Sequence, residues 1–437
     1  MKVALIGNMN NNFFSILRYL RDMDIDATLY LFKNDGIDDA SHFSCESDTF
    51  EIDKWRDYIK RTEIINSQSQ VISYYAGFNI LFRLLYVFLK LISSSKANWF
   101  RPSKFFLKKY IRKNFSKYDV IVGTGNIPSL FYLAGLNLDI YAPYSFGLEY
   151  FNCVNTNRLL NSKNILLRYF AKKIKRFQYN GFKNSKILNT QFGITLETLN
   201  SYNLEYLPID YPMVYLSKNH LKLASIEDKY SFSNLDNYDF IILSHSRHLW
   251  VKPDNENITF EKWNEFENKN NDWLIFSFSK LVKKYPEKEL LLILIDYGRD
   301  ATQTRKLCEN LNLNNNVMWL PKLERKYILQ LISKVNVVAT DFYTGKGIMW
   351  GGAGWETLIM GKPFIVGFNF INNSFEEYFD FPPPDLLPVK EENDIYIHLE
   401  HLLNDETFQI KNGKKNKDWF YKYNGYEITK RWIEILK

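Results

Sequence analysis

Short apolar runs alternate with helical stretches along the first half of the chain. The first apolar run, in MKVALIGN, ends at Gly7. FFSILRYLRDM then has the apolar spacing of a helix, and ATLYLF is the next apolar run. Later runs are YDVIVGTG, LDIYAPYSFG, SKILNTQ and LEYLPID. A short continuous apolar run is typical of a strand that is buried on both faces of a parallel sheet. The first half therefore predicts a doubly wound α/β domain that opens with a β-loop-α-β unit.

The same alternation begins again at YDFIILSHSR, residues 238–247. Strands are predicted at KELLLILIDYG, NNVMWLP, NVVATDF and KPFIVGF, and helices at ATQTRKLCENLNL, ERKYILQLISKV and GWETLIMG. Residues 215–237 have little apolar periodicity. We therefore place one domain at 1–225 and the other at 236–417, with the terminal helix 418–437 packing back on the first. Two such domains are expected to bind ligands in the cleft between their strand ends.

Length and composition fit this architecture and exclude several classes of protein. The 437 residues fit two domains, and a content of 46% hydrophobic and 24% charged residues excludes long disordered stretches. We expect no signal peptide, and no run reaches the ~18 apolar residues of a membrane span. The three cysteines lie far apart, which predicts neither disulfides nor a zinc site and indicates a reducing, cytoplasmic compartment. They are Cys45, Cys153 and Cys308.

The net charge of +7 is concentrated in two stretches that contain no acid. Residues 77–117 hold ten Lys or Arg, and residues 150–196 hold nine. Such one-sign blocks predict an anionic partner, namely nucleic acid, an acidic substrate or an anionic membrane. NILFRLLYVFLKLI and NILLRYFAKKIKRF combine apolar faces with basic flanks, which favours a membrane surface. Two ordinary amphipathic helices with solvated basic faces explain the same pattern, and both interpretations stay open.

A glycine-rich loop between a strand and a short helix is the richest candidate site. It reads GKGIMWGGAGWETLIMGKP, residues 345–363. Gly351, Gly352 and Gly354 let a ligand approach the backbone, and the following helix N-terminus offers N–H groups and a positive dipole end. These features predict a diphosphate cradle, with Glu356 in the first helical turn accepting hydrogen bonds from two ribose hydroxyls. The alternative is a glycine-rich turn in which Glu356 only complements the helix dipole.

Two cations follow the strand that opens the second half. Arg247 and Lys252 lie in the segment SHSRHLWVKPDN. At the carboxyl end of a parallel strand they could neutralise a leaving diphosphate, with Arg binding two oxygens and Lys acting as a point charge. Solvated loop charges are the alternative interpretation of this pair.

The second half resembles the donor domain of the family 4 retaining glycosyltransferases, which have the GT-B fold. In that family a strand leads to an Arg and, five residues later, a Lys, as at Arg247 and Lys252. Its E-A-M-A-x-G-x-P-V-I signature matches the segment from Glu356 to Ile365 in the spacing of Glu, Gly, Pro and Ile. The first half resembles the acceptor domain of that family more loosely.

The resemblance implies two Rossmann-like domains facing a cleft, and retaining transfer of a sugar from a nucleotide-diphosphate donor to a glycan or lipid-linked glycan. It implies bacterial surface polysaccharide synthesis without a metal or a cofactor, and we expect no nucleic-acid partner. The two acid-free basic blocks motivate the hypothesis that the acceptor is a lipid-linked glycan at the inner membrane face. Arg247 and Lys252 would stabilise the leaving group, and Glu149 would act on the acceptor side. The implied donor-binding residues are Gly7, Asn8, Gly298, Met318, Trp319, Leu320, Lys346, Gly352, Ala353, Gly354, Trp355 and Glu356.

The sequence departs from this family in three places. Ile348 stands where the family has the first of two glutamates, Phe146 stands where it has a histidine, and the loop after Lys252 is longer. The first departure leaves the identity of the sugar open. Two other classes also stay open, a sugar-nucleotide epimerase of the same fold and a non-catalytic glycan-binding protein. An epimerase would need a first-domain histidine with acids such as Glu149, and the sequence indicates no such histidine.

Overall fold

The structure is a computed structural model of residues 1–437. It describes all of them except 34, 36–43, 93–101, 104–105, 144–147, 150, 152–156, 158, 190–193, 210, 217–228, 231, 254–262, 264–266, 348 and 371–373. Contacts divide the chain into two units. Unit 1 contains Met1–Ile37, Glu51–Tyr211 and Trp432–Lys437, and unit 2 contains Asp38–Phe50 and Pro212–Arg431. The limits inferred from the sequence, 1–225 and 236–417, stay a prediction.

Unit 1 is built on a seven-stranded parallel sheet with the strand order β3-β2-β1-β4-β5-β6-β7. Its strands are β1 Lys2–Ile6, β2 Asp26–Leu31, β3 Ile59–Arg61, β4 Val120–Gly123, β5 Ile140–Tyr141, β6 Lys186–Asn189 and β7 Leu207–Pro208. Its helices are α1 Asn12–Asp22, α2 Ile52–Trp55, α3 Gln68–Phe78, α4 Ile80–Ile92, α5 Leu107–Phe115, α6 Ile127–Ala134, α7 Ile165–Phe182 and α8 Ile194–Ser201. Short 3₁₀ turns lie at Met9–Asn11 and Arg56–Tyr58.

Unit 2 has a six-stranded parallel sheet with the strand order β10-β9-β8-β11-β12-β13. Its strands are β8 Phe240–Ser244, β9 Leu290–Ile295, β10 Val317–Leu320, β11 Val337–Ala339, β12 Phe364–Gly367 and β13 Leu387–Val389. A 3₁₀ turn at Phe232–Asn237 precedes them. The helices are α9 Asn271–Lys284, α10 Ala301–Asn310, α11 Arg325–Lys334, α12 Gly352–Met360, α13 Ser374–Phe379, α14 Glu392–Asn404 and α15 Glu406–Tyr423. The last helix, α16 Tyr426–Leu436, begins in unit 2 and ends in unit 1.

The central strands are buried along their whole length, which explains their continuous apolar sequence. Every residue of β8 and β9 is buried, and so is every residue of β1 after Lys2. A run such as LLLILI is favourable only where helices cover both faces of the sheet. Burying each Leu or Ile side chain contributes about 1.5–3 kcal/mol, so these strands form the centre of both cores.

Both sheets confirm the α/β fold expected from the sequence and locate the loops that can bind ligands. The strand order reverses direction between β1 and β4 in unit 1, and between β8 and β11 in unit 2. In doubly wound sheets, ligands bind outside the carboxyl ends of the strands at such a switch point. The residues that follow these four strands are therefore the first candidates for a functional site.

The terminal segment 418–437 is helical, as predicted, but it is interrupted between α15 and α16. Asn424 is extended and Gly425 has φ +57°, a conformation that glycine adopts without strain. Beyond this break, Trp432 is buried in unit 1 beside Tyr211, with ring centroids 5.4 Å apart. The large indole thereby fixes the end of α16 to unit 1.

Helices α6 and α7 of unit 1 approach closely at Gly181. A Cβ atom placed on Gly181 would lie 2.0 Å from the carbonyl oxygen of Pro128. Because this neighbour is backbone, the added methyl group can be accommodated only if a helix moves.

We expect Gly181→Ala to lower the free energy of unfolding by about 1–3 kcal/mol, since overpacking outweighs the gain of about 1 kcal/mol in helix propensity. Urea denaturation measures this change. Asn180→Ala is the matched control, because it raises helix propensity at the preceding position of the same helix. Equal or higher stability of Gly181→Ala would contradict the close approach.

Candidate functional site

The loops that follow β8 and β11 are joined at the switch point of unit 2. His245, Ser246 and Arg247 follow β8, and Thr340 and Asp341 follow β11. The Thr340 hydroxyl donates a hydrogen bond to the Ser246 hydroxyl, which ties the two loops together. Two polar loops held side by side at a switch point are the usual setting of a ligand site in this class of sheet.

The glycine-rich segment leads into α12 without a side-chain cap. Gly351 is the N-cap residue and has no side chain that could accept hydrogen bonds from the N–H groups of the first turn. A Cβ on Gly354 would lie 2.3 Å from the Trp350 ring, so the helix packs directly on this indole. The Trp350 ring also contacts Trp355 and Trp419 in an aromatic cluster. This rigid support leaves Gly351, Gly352 and Ala353 as the part of the segment that a ligand can approach.

Glu356 lies one turn deeper than the sequence predicted. Because α12 begins at Gly352, Glu356 is its fifth residue, and the first turn contains no acid. Its carboxylate is buried, with Oε2 2.9 Å from His245 Nε2 and Oε1 accepting a hydrogen bond from Arg325 Nε at 2.7 Å. Burial alone would raise the pKa of Glu356. The hydrogen bond from His245 and the charge of Arg325 outweigh burial, so the pKa is lowered and the carboxylate is ionised.

Arg325 extends this contact to a distant part of the sequence. Its Nη1 atom donates to Asp48 Oδ1 at 2.7 Å, and more weakly to the Met213 carbonyl at 3.3 Å. Burial lowers the pKa of Arg325, but the charges of Asp48 and Glu356 raise it further above its ordinary value. The four side chains form what we name the charge chain: Asp48, Arg325, Glu356 and His245.

A second buried ion pair lies beside the same switch point. The Lys269 ammonium donates to Asp341, which has φ +58° directly beyond β11. Burial lowers the pKa of Lys269, but the charge of Asp341 outweighs it and raises this pKa above its ordinary range. The hydroxyl of Tyr297 donates to the His245 carbonyl at 3.2 Å and fixes the backbone of the β8 loop. Burial raises the pKa of Tyr297 to about 12, so it stays protonated at neutral pH.

The loop that carries Arg247 and Lys252 is anchored by a buried aspartate. Asp300 Oδ2 accepts hydrogen bonds from the backbone N–H groups of Trp250 at 2.7 Å and Val251 at 2.8 Å. Burial opposes ionisation of Asp300, but Arg299 and these N–H groups lower its pKa. Arg247 is exposed and Lys252 is half-buried, so both cations are accessible on this fixed loop.

The other predicted donor-binding residues of unit 2 lie at the neighbouring strand ends. Gly298 follows β9 with φ +115°. A Cβ on this residue would lie 2.3 Å from the backbone nitrogen of His248, so glycine is required at this position. Met318, Trp319 and Leu320 are half-buried in β10, where Arg305 covers the Trp319 ring at 4.0 Å. Lys346 is exposed, whereas Trp355 is buried and could offer only backbone to a ligand.

Unit 1 brings its three predicted site residues to its own switch point. Gly7 follows β1 with φ +102°, and a Cβ there would lie 2.3 Å from the methyl group of Thr124, which follows β4. Asn8 accepts a hydrogen bond from Phe14 N–H at 3.0 Å, so it serves the start of α1. Buried Glu149 accepts from the Thr124 hydroxyl at 3.1 Å. Phe146 and Ile348 lie outside the described residues.

Five charged or titratable residues of the site that were not predicted from the sequence are His245, Arg325, Asp48, Lys269 and Asp300. Of these, Arg325 carried a local signal. A cation at the first position of a helix opposes the helix dipole, so it indicates that acidic partners lie nearby. The contacts by which the other four join the site are with residues distant in sequence, and no spacing rule connects them.

Comparison with solved structures identifies the fold. HepE from Anabaena, solved with UDP-glucose, is 13% identical with a TM-score of 0.54, covering 100% of this chain and 99% of HepE. TarM from S. aureus, solved as a mutant with UDP, is 13% identical with a TM-score of 0.54 and 100% coverage of both chains. A glycosyltransferase from Rickettsia africae is 12% identical with a TM-score of 0.55, covering 100% and 97%.

No family model and no curated protein sequence matches the chain. The structural matches nevertheless span the whole chain, which contains two parallel sheets. The chain therefore has the GT-B fold, and the resemblance to GT-B glycosyltransferases is confirmed at the level of fold.

The burial of Glu356 changes what its removal should do to stability. We expect Glu356→Ala to lower the free energy of unfolding by about 3–5 kcal/mol, because Arg325 would keep a buried charge with one partner fewer. This is more than the ~0.3–1 kcal/mol expected of a carboxylate that only complements a dipole. Glu406→Ala is the matched control, since Glu406 is an exposed first-turn glutamate of α15. Similar small losses in both variants, measured by urea denaturation, would contradict the ion pairs.

The lowered pKa of Glu356 also predicts a pH dependence. A carboxylate whose folded pKa lies below its unfolded value of about 4.3 stabilises the fold above that value. The contribution is lost as pH falls through the lowered folded pKa. We therefore expect the stability difference between the wild type and Glu356→Gln to be constant near neutral pH and to shrink below about pH 4. A difference that grows on acidification would show that the carboxyl is protonated in the folded protein.

Proposed function

We propose that the protein is a glycosyltransferase that moves a sugar from a nucleotide-diphosphate donor to a glycan or lipid-linked acceptor in surface polysaccharide synthesis. The observation that carries the proposal is the convergence of the β8 loop, the uncapped start of α12 and buried Glu356 at the switch point of unit 2. They present cations, backbone N–H groups and an ionised acceptor, which suit a nucleoside diphosphate. HepE and TarM, solved with UDP-glucose and with UDP, support a donor of this class.

In this proposal the charge that develops on the leaving diphosphate is stabilised by the protein and not by a metal. Arg247 would bind two phosphate oxygens and Lys252 would add a point charge. Glu356 would accept from the ribose hydroxyls, which is compatible with its contacts to His245 and Arg325 because a carboxylate has about four acceptor positions. Glu149, at the switch point of unit 1, would act on the acceptor. Retention of configuration follows from the family resemblance alone.

A specific surface of unit 1 supports the further proposal that the protein docks on an anionic membrane. Helix α4 has the sequence ILFRLLYVFLKLI and packs by Phe82, whose ring lies 5.4 Å from that of Phe170 in α7. The opposite face is apolar and exposed, with 82% of Leu91 and 73% of Ile80 accessible. The remaining exposed side chains of this face are Leu81, Leu84, Val87, Phe88 and Ile92. A contiguous apolar surface of this kind marks an interaction site.

Unit 1 also exposes basic side chains on α4 and on two other helices. Lys90 of α4 and Lys172 and Arg176 of α7 are exposed. In α5, four cations surround the exposed ring of Phe106: Lys108, Lys109, Arg112 and Lys113. Apolar insertion combined with Lys and Arg is the signature of a helix that lies in the headgroup region of an anionic bilayer. No single helix of the described chain is long and apolar enough to cross a membrane.

The metal-free mechanism predicts the effect of removing either cation. Because their interaction with the diphosphate should strengthen as the bond breaks, Arg247→Ala and Lys252→Ala should each lower turnover by about 10²–10³-fold, more than they weaken donor binding. Turnover is measured with a panel of UDP-, GDP- and ADP-sugars, with and without EDTA. The chelator should not change the turnover of the wild type.

Lys283→Ala is the control for this experiment, since it removes an exposed cation from α9 of the same unit. Its turnover should equal that of the wild type. Near-normal turnover of both loop variants, or complete loss of wild-type activity with EDTA, would contradict the mechanism.

The docking surface predicts binding to vesicles that contain phosphatidylglycerol. Binding should weaken with salt, because charge attraction is screened over ~10 Å at 0.1 M ionic strength. Leu91→Asp should reduce binding, since it places a charge at the centre of the apolar face.

Ile410→Asp is the matched control, because Ile410 is an exposed apolar residue on α15 of unit 2, outside the α4 face, with 63% of its surface accessible. Vesicle co-sedimentation compares the two variants. Equal binding of both would exclude this face as the docking surface, and a concentration-dependent dimer that Leu91→Asp abolishes would assign the face to self-association instead.

A further inference from the structure

One carboxylate oxygen at the switch point of unit 2 accepts no hydrogen bond from the described residues. Asp341 lies directly beyond β11, and its Oδ1 atom accepts a hydrogen bond from the Lys269 ammonium. The other oxygen, Oδ2, has no such donor in the described part of the chain, although the side chain is only 3% accessible. A carboxylate has about four acceptor positions, and leaving those of one oxygen unused in a protein is unfavourable. Oδ2 therefore remains to bind a ligand.

The unpaired oxygen faces an open space at the start of α12. A Cβ placed on Gly351 would lie 3.6 Å from Asp341 Oδ2. Apart from the chain neighbours of Gly351, no other atom of the described residues would lie within 4 Å of this Cβ. Gly351 is itself exposed. The space beside this glycine is therefore open towards solvent, and Asp341 Oδ2 forms its wall.

The backbone around Asp341 fixes the direction of its side chain. Its φ of +58° is unfavourable for most residues other than glycine, although Asp and Asn tolerate it. The Asp341 carbonyl accepts hydrogen bonds from the N–H groups of Tyr343 at 2.9 Å and Gly367 at 3.1 Å. The Lys269 N–H donates to the Leu249 carbonyl at 2.8 Å, which also holds the partner of the carboxylate in place. An uncommon conformation that several contacts enforce is typical of a functional site.

The chemistry of this oxygen determines which part of a nucleotide sugar it can bind. In its ion pair with Lys269 the carboxylate accepts hydrogen bonds and donates none, so it cannot bind phosphate oxygens. The charge of Lys269 offsets that of Asp341, so the pair can lie close to a diphosphate without strong repulsion. A hydroxyl group is the donor that such a molecule offers. Hydroxyl groups occur on its ribose and on its transferred sugar, at opposite ends of the diphosphate.

Two carboxylates flank the first turn of α12 in the order that such a molecule requires. Asp341 Oδ2 lies beside Gly351, which is the N-cap residue. Glu356 lies four residues after Gly352, about 6 Å further along the helix axis. The N–H groups between them have no side-chain cap and suit the diphosphate. Because Glu356 is proposed to bind the ribose, Asp341 corresponds to the sugar at the other end.

We propose that Asp341 is a specificity-determining residue of the donor site, whose Oδ2 atom accepts a hydrogen bond from a hydroxyl group of the transferred sugar. This inference rests on the proposed nucleotide-sugar function and adds to it the residue that recognises the sugar. It follows that the donor sugar carries a free hydroxyl group at this position. A deoxy sugar would leave Oδ2 unpaired, and a carboxylate at the same position would be repelled.

Asp341→Asn removes this acceptor and preserves the shape of the side chain. The Lys269 ammonium can only donate, so the amide oxygen should stay with Lys269 and the NH₂ group should replace Oδ2. Asn also tolerates the left-handed backbone. We expect the variant to bind the nucleotide sugar about 10–100-fold more weakly, as for loss of a hydrogen bond to a charged group. Its affinity for the corresponding nucleoside diphosphate should not change. Calorimetric titration with UDP, GDP, ADP and a panel of their sugar esters measures both affinities.

Gly351→Ala is a second variant that leaves both charges in place. The φ of −80° at Gly351 suits alanine, so the methyl group would enter the open space beside Asp341 Oδ2. This variant should lose more affinity for the nucleotide sugar than for the nucleoside diphosphate. Asp385→Asn is the matched control, because it removes the same charge from an exposed ion pair with Lys415 that precedes β13. Both of its affinities should equal those of the wild type.

The outcomes distinguish this inference from the proposed function. If the wild type binds none of the nucleoside diphosphates or their sugar esters, the proposed function fails and the inference fails with it. If the wild type binds a nucleotide sugar and Asp341→Asn weakens it no more than the nucleoside diphosphate, only the inference is overturned. Urea denaturation establishes whether Asp341→Asn folds. If it does not fold, Gly351→Ala decides the question, and an unchanged affinity of that variant for the nucleotide sugar overturns the inference.

Discussion

The arrangement of the second unit depends on one buried guanidinium. Arg325 lies between two carboxylates that are more than three hundred residues apart in the sequence, Asp48 and Glu356. Moving a cation out of water costs several kcal/mol, which only close, well-directed partners offset. The fork of Arg325 meets this requirement with two bonds of 2.7 Å, so the start of α11, the interior of α12 and the segment around Asp48 must lie together. Removing any one partner leaves a charge that the core does not tolerate.

This constraint explains why part of the first half of the sequence belongs to unit 2. The described residues 44–50 follow β2 by chain order, but they pack on α11. Ser47 accepts a backbone hydrogen bond from Lys326 at 3.2 Å, and the Lys326 ammonium donates to the Glu46 carbonyl at 3.0 Å. The charge of Asp48 would be hard to bury without Arg325. The ion pair and these hydrogen bonds thus fix this short segment to the rest of unit 2.

The sequence predicted the features that depend on local pattern and missed those that depend on distant charges. Continuous apolar runs gave both parallel sheets, since a strand buried on two faces has few polar positions. The glycine-rich start of α12 was also predictable from the sequence, and Gly354 lies so close to the Trp350 ring that it has no room for a Cβ. The turn assigned to Glu356 was wrong because Gly352, and not a later residue, begins the helix. His245 and Lys269 could not be predicted as paired residues, because their partners come together only when β8, β11, α9 and α12 have packed.

The same distinction between local pattern and packing applies to α4. Its sequence is apolar on nearly all sides, and such a helix is normally covered on every face. In the described structure only the Phe82 side packs, while 82% of Leu91 remains accessible to solvent. Exposed apolar surface contributes nothing to the stability of an isolated chain and favours aggregation, so selection for folding alone does not account for it. The docking on anionic lipid that we propose would cover this exposed face.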